Sequence, residues 1–184
     1  DVRAALIYGP NRSRVSESVA GLIAAKLGPK ADDLCLARLG EDELRKDPAR
    51  LVDEMVAQSL LGGARVVRVR ADGDMAAENI AACLADLDAG APAAAFLVVE
   101  GGVLSGKSKL KAAFENAKTA VAIAWYEEDS AEIAAYARAL WAQAGVTLTP
   151  DAEEAFFALA PEDRGPVRAE VDKMAPGLAD ALRA

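Results

Sequence analysis

The feature that most constrains the fold is a regular alternation of short apolar runs with helical segments over the first two thirds of the chain. Apolar residues recur at helical spacing at Val15, Val19 and Ile23, and Asp47 with Pro48 marks the start of a second helical segment. Strands that alternate with helices are joined by right-handed crossovers, so the pattern predicts an α/β fold with a doubly wound parallel five-stranded sheet. The five predicted strands are Ala4–Tyr8, Leu34–Leu39, Arg65–Val69, Ala95–Val99 and Thr119–Trp125.

Beyond the fifth predicted strand, the strand signal ends and three helical segments follow. The first begins at Ser130, and the second follows the capping residue Thr149. The pattern therefore predicts a small helical lid domain after the sheet. The expected organisation is an α/β domain over residues 1–127, the helical lid domain over residues 128–175, and a tail over residues 176–184 that departs from the preceding pattern.

Charge and residue usage exclude several classes of function. The 184-residue chain has 29 acidic and 21 basic residues and a net charge of −8, which disfavours nucleic-acid binding by this chain alone. It has no histidine, which removes imidazole metal sites and Ser/His triads, and we expect no metal. Cys35 and Cys83 are predicted to be buried thiols in a reducing cytoplasm. No apolar run is long enough to span a membrane.

A first glycine-containing loop follows the first predicted strand, where a doubly wound domain places its phosphate-binding turn. Aligned with GxxxxGK[ST], the stretch Tyr8–Ser16 keeps Gly9 and Ser16. Arg14 stands where the second glycine should be, and Val15 stands where the lysine should be. Because that lysine contacts the nucleotide phosphates, the loop is predicted to be a degenerate phosphate loop with a structural role.

A second stretch, Gly101–Ser108, fits the phosphate-loop pattern completely and lies between a predicted strand and a predicted helix. In a P-loop NTPase, Gly101 and Gly106 would shape the loop, Lys107 would pair with phosphate and Ser108 would hold Mg²⁺. The motif follows the fourth strand, however, so few elements remain downstream to complete a nucleotide site. This alternative function stays open at this point. The downstream acidic candidates are Glu127, Glu128 and Asp129, which equally suit a helix start.

Two adjacent leucines, Leu60 and Leu61, come at the predicted end of the second helical segment, just before two glycines. Successive residues on a helix are about 100° apart, so both leucines cannot face a narrow buried stripe. One interpretation is packing at a helix C-terminus that Gly62 or Gly63 ends in the left-handed conformation. The other is an exposed apolar pair for the pocket of a partner protein.

The order and spacing of several short strings resemble the delta-subunit family of the bacterial DNA polymerase III clamp loader. The resemblance spans residues 1 to about 175. It implies an AAA+-type fold that lacks a working Walker A lysine, in agreement with Val15. It also implies that the Gly101–Ser108 turn is not a nucleotide site. The strings are Leu6–Pro10, Asp47–Leu51, Ser59–Gly63, Arg65–Arg70, Ser108–Lys111, Phe114–Glu115 and Arg168–Lys173.

The resemblance further implies a role in DNA replication as a non-catalytic subunit of the DNA polymerase III holoenzyme. Members of the family bind the beta sliding clamp and help to open the ring, here through Ser59, Leu60 and Leu61. Family members often carry an aromatic residue where this chain has Leu61. No ATPase activity and no cofactor are expected, because ATP acts in neighbouring subunits. The implied partners are the clamp, the tau/gamma and delta prime subunits, and primed DNA within the complex only.

Three arginines, Arg65, Arg68 and Arg70, lie on or beside the third predicted strand. They are expected to be a solvated strand end, because charged side chains generally stay at the surface. The alternatives are that these arginines face DNA, a partner protein or an acidic neighbour on the same chain. A further alternative for the whole chain is a scaffold whose helical end joins other subunits without touching the clamp.

Overall fold

The computed structural model describes residues 1–28, 33–59, 62–126, 129–159 and 164–181, and the chain divides into two compact units, Asp1–Tyr126 and Glu127–Ala184. The second unit contains the helices α6 (Ser130–Gln143), α7 (Pro150–Leu159) and α8 (Arg164–Ala181). The first unit contains β1 (Ala4–Tyr8), α1 (Arg12–Leu27), a 3₁₀ turn (Asp33–Cys35), β2 (Leu36–Gly40), α2 (Glu41–Lys46), α3 (Arg50–Val56), β3 (Arg65–Ala71), α4 (Ala77–Asp88), β4 (Ala95–Gly101), α5 (Lys109–Asn116) and β5 (Ala120–Ala124).

The five strands form one parallel sheet in the order β2-β3-β4-β1-β5. The central strand β1 pairs with β4 and β5, so that Ile7 lies between Glu100 and Ile123. Every residue of β1 is buried, as expected for a parallel strand that is covered on both faces. The architecture confirms the predicted α/β fold with a doubly wound parallel five-stranded sheet.

Helices cover both faces of the sheet and make two apolar layers. On one face, α1 contributes Val15, Val19 and Ile23, which pack against residues of β1, β3 and β4. On the other face, α3, α4 and α5 pack together, and Phe114 is among the largest fully buried side chains. Cys83 belongs to this second layer and Cys35 is buried as well, which confirms the predicted burial of both thiols. Burial raises the pKa of the Cys83 thiol to about 11, which disfavours its reactive thiolate form.

The second unit has its own small core, formed by α6, α7 and α8. Trp141 and Phe156 meet edge to face with ring centroids 5.6 Å apart, and Val167 and Val171 are buried beside them. Asp129 caps α6 by accepting a hydrogen bond from the Glu132 N–H at 2.8 Å, as expected for an acidic residue at a helix start. None of the helices in the described ranges is both long and apolar enough to cross a bilayer.

The end of the chain differs from the expected separate tail. Helix α8 continues through Pro176 to Ala181. Proline has no backbone N–H, so Pro176 cannot donate to the carbonyl of Asp172 and the helix lacks one hydrogen bond there. Ala175, the residue before it, is buried against the small core and is part of the packing that retains the helix.

The second helical segment also differs from the prediction at its start. Two helices replace one, because α2 occupies Glu41–Lys46 and α3 begins only at Arg50. Asp47 does not cap α3 directly. Its carboxylate instead accepts a hydrogen bond from the Ala49 N–H at 3.2 Å, within a turn that contains Pro48.

Helix α3 ends at Val56, so the predicted placement of Leu60 and Leu61 at its end is wrong. Ala57 takes an extended conformation with φ −60° and ψ 128°. The carbonyl of Met55 accepts a hydrogen bond from the Ala94 N–H at 2.9 Å. Carbonyl groups near the helix end are thus bonded to residues outside the helix, which competes with a further helical turn.

Candidate functional site

Backbone N–H groups of the loop after β1 are hydrogen-bonded within the protein, whereas a phosphate loop presents free N–H groups to its ligand. The Asn11 side chain caps α1 by accepting a hydrogen bond from the Arg14 N–H at 2.9 Å. The Gly9 N–H donates to the Gly102 carbonyl at 3.0 Å. Gly9 has a φ of +143°, and a Cβ placed on it would lie 1.9 Å from the Trp125 carbonyl oxygen. The glycine is therefore needed where β1 and the end of β5 approach closely.

The side chains of this first loop also lack the arrangement that a nucleotide needs. Val15, at the position of the phosphate-binding lysine, is buried in the layer between α1 and the sheet. Arg14, at the position of the second glycine, places its guanidinium 3.7 Å from the centroid of the Trp125 ring. Arg12 pairs with Asp72, with Nη1 and Oδ1 2.7 Å apart. The geometry is that of a packed turn, as the degenerate motif predicts.

The helix that follows the second loop, Gly101–Ser108, is capped by a carboxylate from another part of the chain. Asp74 accepts hydrogen bonds from the N–H groups of Lys109 and Leu110, both at 3.0 Å, and from the Ser108 hydroxyl at 2.7 Å. These donors begin α5 and would otherwise face an anion. Ser108 is buried and Lys107 is exposed. The N-terminus of α5 is therefore closed by Asp74, from the connection between β3 and α4.

The Asp74 cap predicts a specific dependence of stability on pH. Hydrogen bonds from the Leu110 N–H and the Ser108 hydroxyl lower the pKa of the Asp74 carboxyl. A lowered pKa stabilises the fold above the unfolded-state pKa of about 4, and this contribution is lost as the pH falls through the folded-state value. Asp74→Asn is expected to lower the free energy of unfolding by about 1 kcal/mol at pH 7, since water screens this exposed group.

Melting curves of Asp74→Asn and the parent protein between pH 7 and pH 2.5 check this prediction. The difference in Tm should be constant above about pH 5 and should shrink below about pH 4 as the parent carboxylate is protonated. A difference that stays the same down to pH 2.5 would contradict the role of the Asp74 charge.

The proposed partner-binding residues fall in the segment between α3 and β3. Leu60 and Leu61 lie outside the residues that the structure describes, but both flanking residues are described. The Ser59 hydroxyl donates to the Gly62 carbonyl at 3.0 Å, and the Gly62 N–H donates to the Ser59 carbonyl at 3.2 Å. Gly62 and Gly63 have φ values of +74° and +89°, a region that favours glycine. The two glycines serve this turn and not the end of a helix.

The three arginines of β3 find acidic partners within the chain. Arg65 pairs with Glu54, and both side chains are largely buried. Arg68 donates through Nε to Glu100 at 2.9 Å, and Glu100 is 4% exposed. Arg70 is 69% exposed and lies 3.8 Å from the same carboxylate. The expectation of a solvated strand end is therefore wrong for Arg65 and Arg68. The one sequence signal was a glutamate at the end of the apolar run of β4.

Metal binding has no candidate site in the described part of the chain, where no group of three acidic or thiol side chains is placed to hold an ion.

Solved structures with the same fold come from DNA replication proteins. The DNA clamp loader delta protein of Bacillus subtilis matches 97% of this chain and 54% of its own length, with a TM-score of 0.65 and 18% sequence identity. This chain has the fold of a clamp-loader delta protein. A DNA polymerase III gamma subunit-related protein of Thermotoga maritima matches 78% of this chain and 48% of its own, with a TM-score of 0.50 and 15% identity.

The similarity to these two structures is a similarity of fold, and it covers only part of each of them. The chain spans about half the length of the two solved structures that it matches. No protein-family profile matches the sequence, and a comparison with curated proteins also finds no match. The sequence identities of 18% and 15% are low, so residue roles in those proteins do not transfer by alignment.

Proposed function

We propose that this chain is a clamp-loader delta subunit that binds the beta sliding clamp and helps to open it for loading on primed DNA. The observation that carries the proposal is the match to a clamp loader delta protein over 97% of the chain. The position of Ser59, Leu60 and Leu61 in the chain supports it, because they fall between α3 and β3, and the described residues on either side of the leucines, Ser59 and Gly62, bond to each other. Connections between helices and strands often carry binding residues.

The proposed action is mechanical. Leu60 and Leu61 would be buried in an apolar pocket of the clamp. Ser59, the residue before them, would hold its own position by its hydrogen bond to Gly62. A ligand shifts a conformational equilibrium only by the difference between its affinities for the two states. Binding therefore favours an open ring when the pocket accepts the leucines better in the open conformation.

We further propose that the chain is a non-catalytic subunit of the DNA polymerase III holoenzyme. Support comes from the two glycine-containing loops. Val15 is buried where the first loop would need its lysine, and the Ser108 hydroxyl, which would hold Mg²⁺ in the second loop, donates to Asp74 instead. The tau/gamma subunits would then supply the ATP-dependent step, with delta prime as a further partner, in the cytoplasm. Primed DNA would be contacted within the complex only.

A calorimetric titration tests the proposal directly. Adding the beta sliding clamp of the same organism to the purified chain should give saturable binding, whereas Mg-ATP should give no saturable heat. Absence of clamp binding at tens of micromolar would overturn the clamp-binding role and favour a scaffold. Tight binding of Mg-ATP that is lost in Lys107→Ala would instead support a P-loop NTPase that uses Gly101–Ser108.

A further inference from the structure

A small pocket lies at the amino edge of the sheet, where the parallel strands begin, opposite the edge that carries the two glycine-containing loops. Its volume is about 230 Å³, and its lining comes from the residues before β1, the last turn of α1 and the starts of β3 and β4. Pockets for small organic ligands usually measure about 300–1,000 Å³. The size of this pocket therefore suits one side chain or one small ion better than a nucleotide.

Two cationic side chains line this pocket without a carboxylate partner in the described part of the chain. The Lys26 ammonium lies 4.0 Å from the centroid of the Phe96 ring. The Arg3 guanidinium donates to the carbonyls of Ala91 and Ala93, at 3.4 and 2.8 Å. Aromatic rings and carbonyl groups hold a cation without neutralising its charge.

Acidic groups at the pocket cancel only part of this positive charge. Arg65 also lines the pocket, but it pairs with Glu54 and so adds no net charge. Among the described residues of the lining, Asp1 is the one acid. The pocket is therefore a site of net positive charge in a chain whose net charge is −8. A site of this kind attracts a negatively charged group.

The position of Lys26 favours a carboxylate over a phosphate group as the bound anion. Lys26 lies in the last turn of α1, where the carbonyl groups of the helix carry partial negative charge. Phosphate groups bind well at helix N-termini, where the partial charge is positive. A phosphate dianion at the end of α1 would be repelled more strongly than a singly charged carboxylate.

The pocket is continuous with the described end of the connection between α3 and β3. Ala64 is the last residue of this connection, and it lines the pocket together with Arg65, the first residue of β3. Arg65 also donates through Nη1 to the carbonyl of Ala57, the first residue after α3, at 3.0 Å. Both ends of the connection thus contact one residue of the pocket, and a partner that binds the connection also meets the pocket.

We infer that this pocket is a contact site for an acidic side chain of the beta sliding clamp, with Lys26 and Arg3 as its cationic residues. The inference rests on the proposed function and adds an electrostatic contact to it. Charged groups at the rim of an interface steer association and fix the register of the partners, and their effect weakens as salt is added. Lys26, which is exposed, is the residue that a partner can reach directly.

Two substitutions of Lys26 test the contact. Lys26→Met removes the charge but keeps an apolar stem beside Phe96, and Lys26→Glu reverses the charge. Lys46→Met and Lys46→Glu are the matched controls, because Lys46 is also an exposed lysine in the last turn of a helix and is outside the pocket lining. Calorimetric titration with the clamp is done at about 50 mM and about 500 mM salt, where the screening length falls from about 14 to about 4 Å. Circular-dichroism melts show that each variant is folded.

The expected result is a loss of affinity that depends on salt. At about 50 mM salt, Lys26→Met should bind the clamp about 3-fold more weakly than the parent, and Lys26→Glu at least about 10-fold more weakly. Both ratios should fall below about 2-fold at about 500 mM salt, because ions screen the contact. Both Lys46 variants should stay within about 2-fold of the parent at either salt concentration.

Other outcomes overturn the inference in distinguishable ways. Parent-like affinity of the Lys26 variants at about 50 mM salt refutes the contact, and Lys26→Met decides alone when Lys26→Glu does not fold. An equal loss in the Lys46 variants refutes it too, because net charge would then explain the effect. Binding of a single-stranded oligonucleotide that the parent shows and the Lys26 variants lose would assign the pocket to nucleic-acid phosphates. The proposed function itself fails, and this inference with it, when the parent does not bind the clamp at either salt concentration.

Discussion

Replacing Leu60 and Leu61 together by alanine is expected to weaken binding to the beta sliding clamp by at least about 100-fold. Full burial of a leucine contributes roughly 1.5–3 kcal/mol, so losing two in one pocket costs roughly 3–6 kcal/mol, or 10²- to 10⁴-fold in affinity. The melting temperature should hardly change, because the proposal places both side chains in the partner's pocket and outside the core. Calorimetry with purified clamp and a circular-dichroism melt give the two values.

Val103→Ala is the matched control for the leucine pair. Val103 is an apolar residue that is 67% exposed on the Gly101–Ser108 loop, and its truncation should leave both clamp affinity and stability unchanged. A leucine double variant that keeps its affinity and melts far below the parent would show that the pair belongs to the core. The interpretation as helix-end packing would then replace the partner-binding one.

Replacing Gly9 by alanine is expected to lower the free energy of unfolding of the first unit by about 3–5 kcal/mol. The new Cβ would meet the Trp125 carbonyl oxygen at 1.9 Å, and the φ of +143° disfavours any residue with a side chain. Backbone strain and overpacking each cost about 1–3 kcal/mol, and no flexible side chain can move aside because the clash is with backbone. Urea unfolding followed by circular dichroism measures the loss.

Gly106→Ala is the matched control in the other glycine-containing loop. Gly106 has no atom within 4 Å of an added Cβ, and its φ lies outside the left-handed region. The substitution should change stability by less than about 0.5 kcal/mol. Equal effects of the two substitutions would contradict the conclusion that Gly9 is required by a close backbone approach.

The pattern of the sequence was sufficient for the sheet and for most helices. Short apolar runs predicted all five strands, and helical spacing such as Val15, Val19 and Ile23 predicted α1. Strand limits were less well predicted. Leu34, expected in β2, lies in the 3₁₀ turn and is 69% exposed. Thr119 precedes β5, and its N–H donates to Asp88 at 2.9 Å. Such bonds join residues that are distant in sequence, so no local pattern indicates them.

The candidate site was predictable in its residue types but not in its geometry. The adjacent leucines and the following glycines identified the segment, yet the helix ends at Val56 and not beside Leu60. The partners of Arg65 were also beyond the sequence pattern, because Glu54 lies eleven residues away on a different element. In the same way, the complete phosphate-loop motif at Gly101–Ser108 gave no sign of Asp74, which precedes Ser108 by 34 residues.

The sequence by itself determined the alternation of strands and helices, the missing lysine at Val15 and the lack of histidine, because these follow from residue type and local spacing. Only the tertiary structure decided which loops are closed. Asp74 reaches the start of α5 because the parallel sheet brings the ends of non-consecutive elements together, and Arg65 reaches back across the α3–β3 connection to the end of α3. Hydrogen bonds between such ends depend on distances in the folded chain, and spacing along the sequence does not encode them.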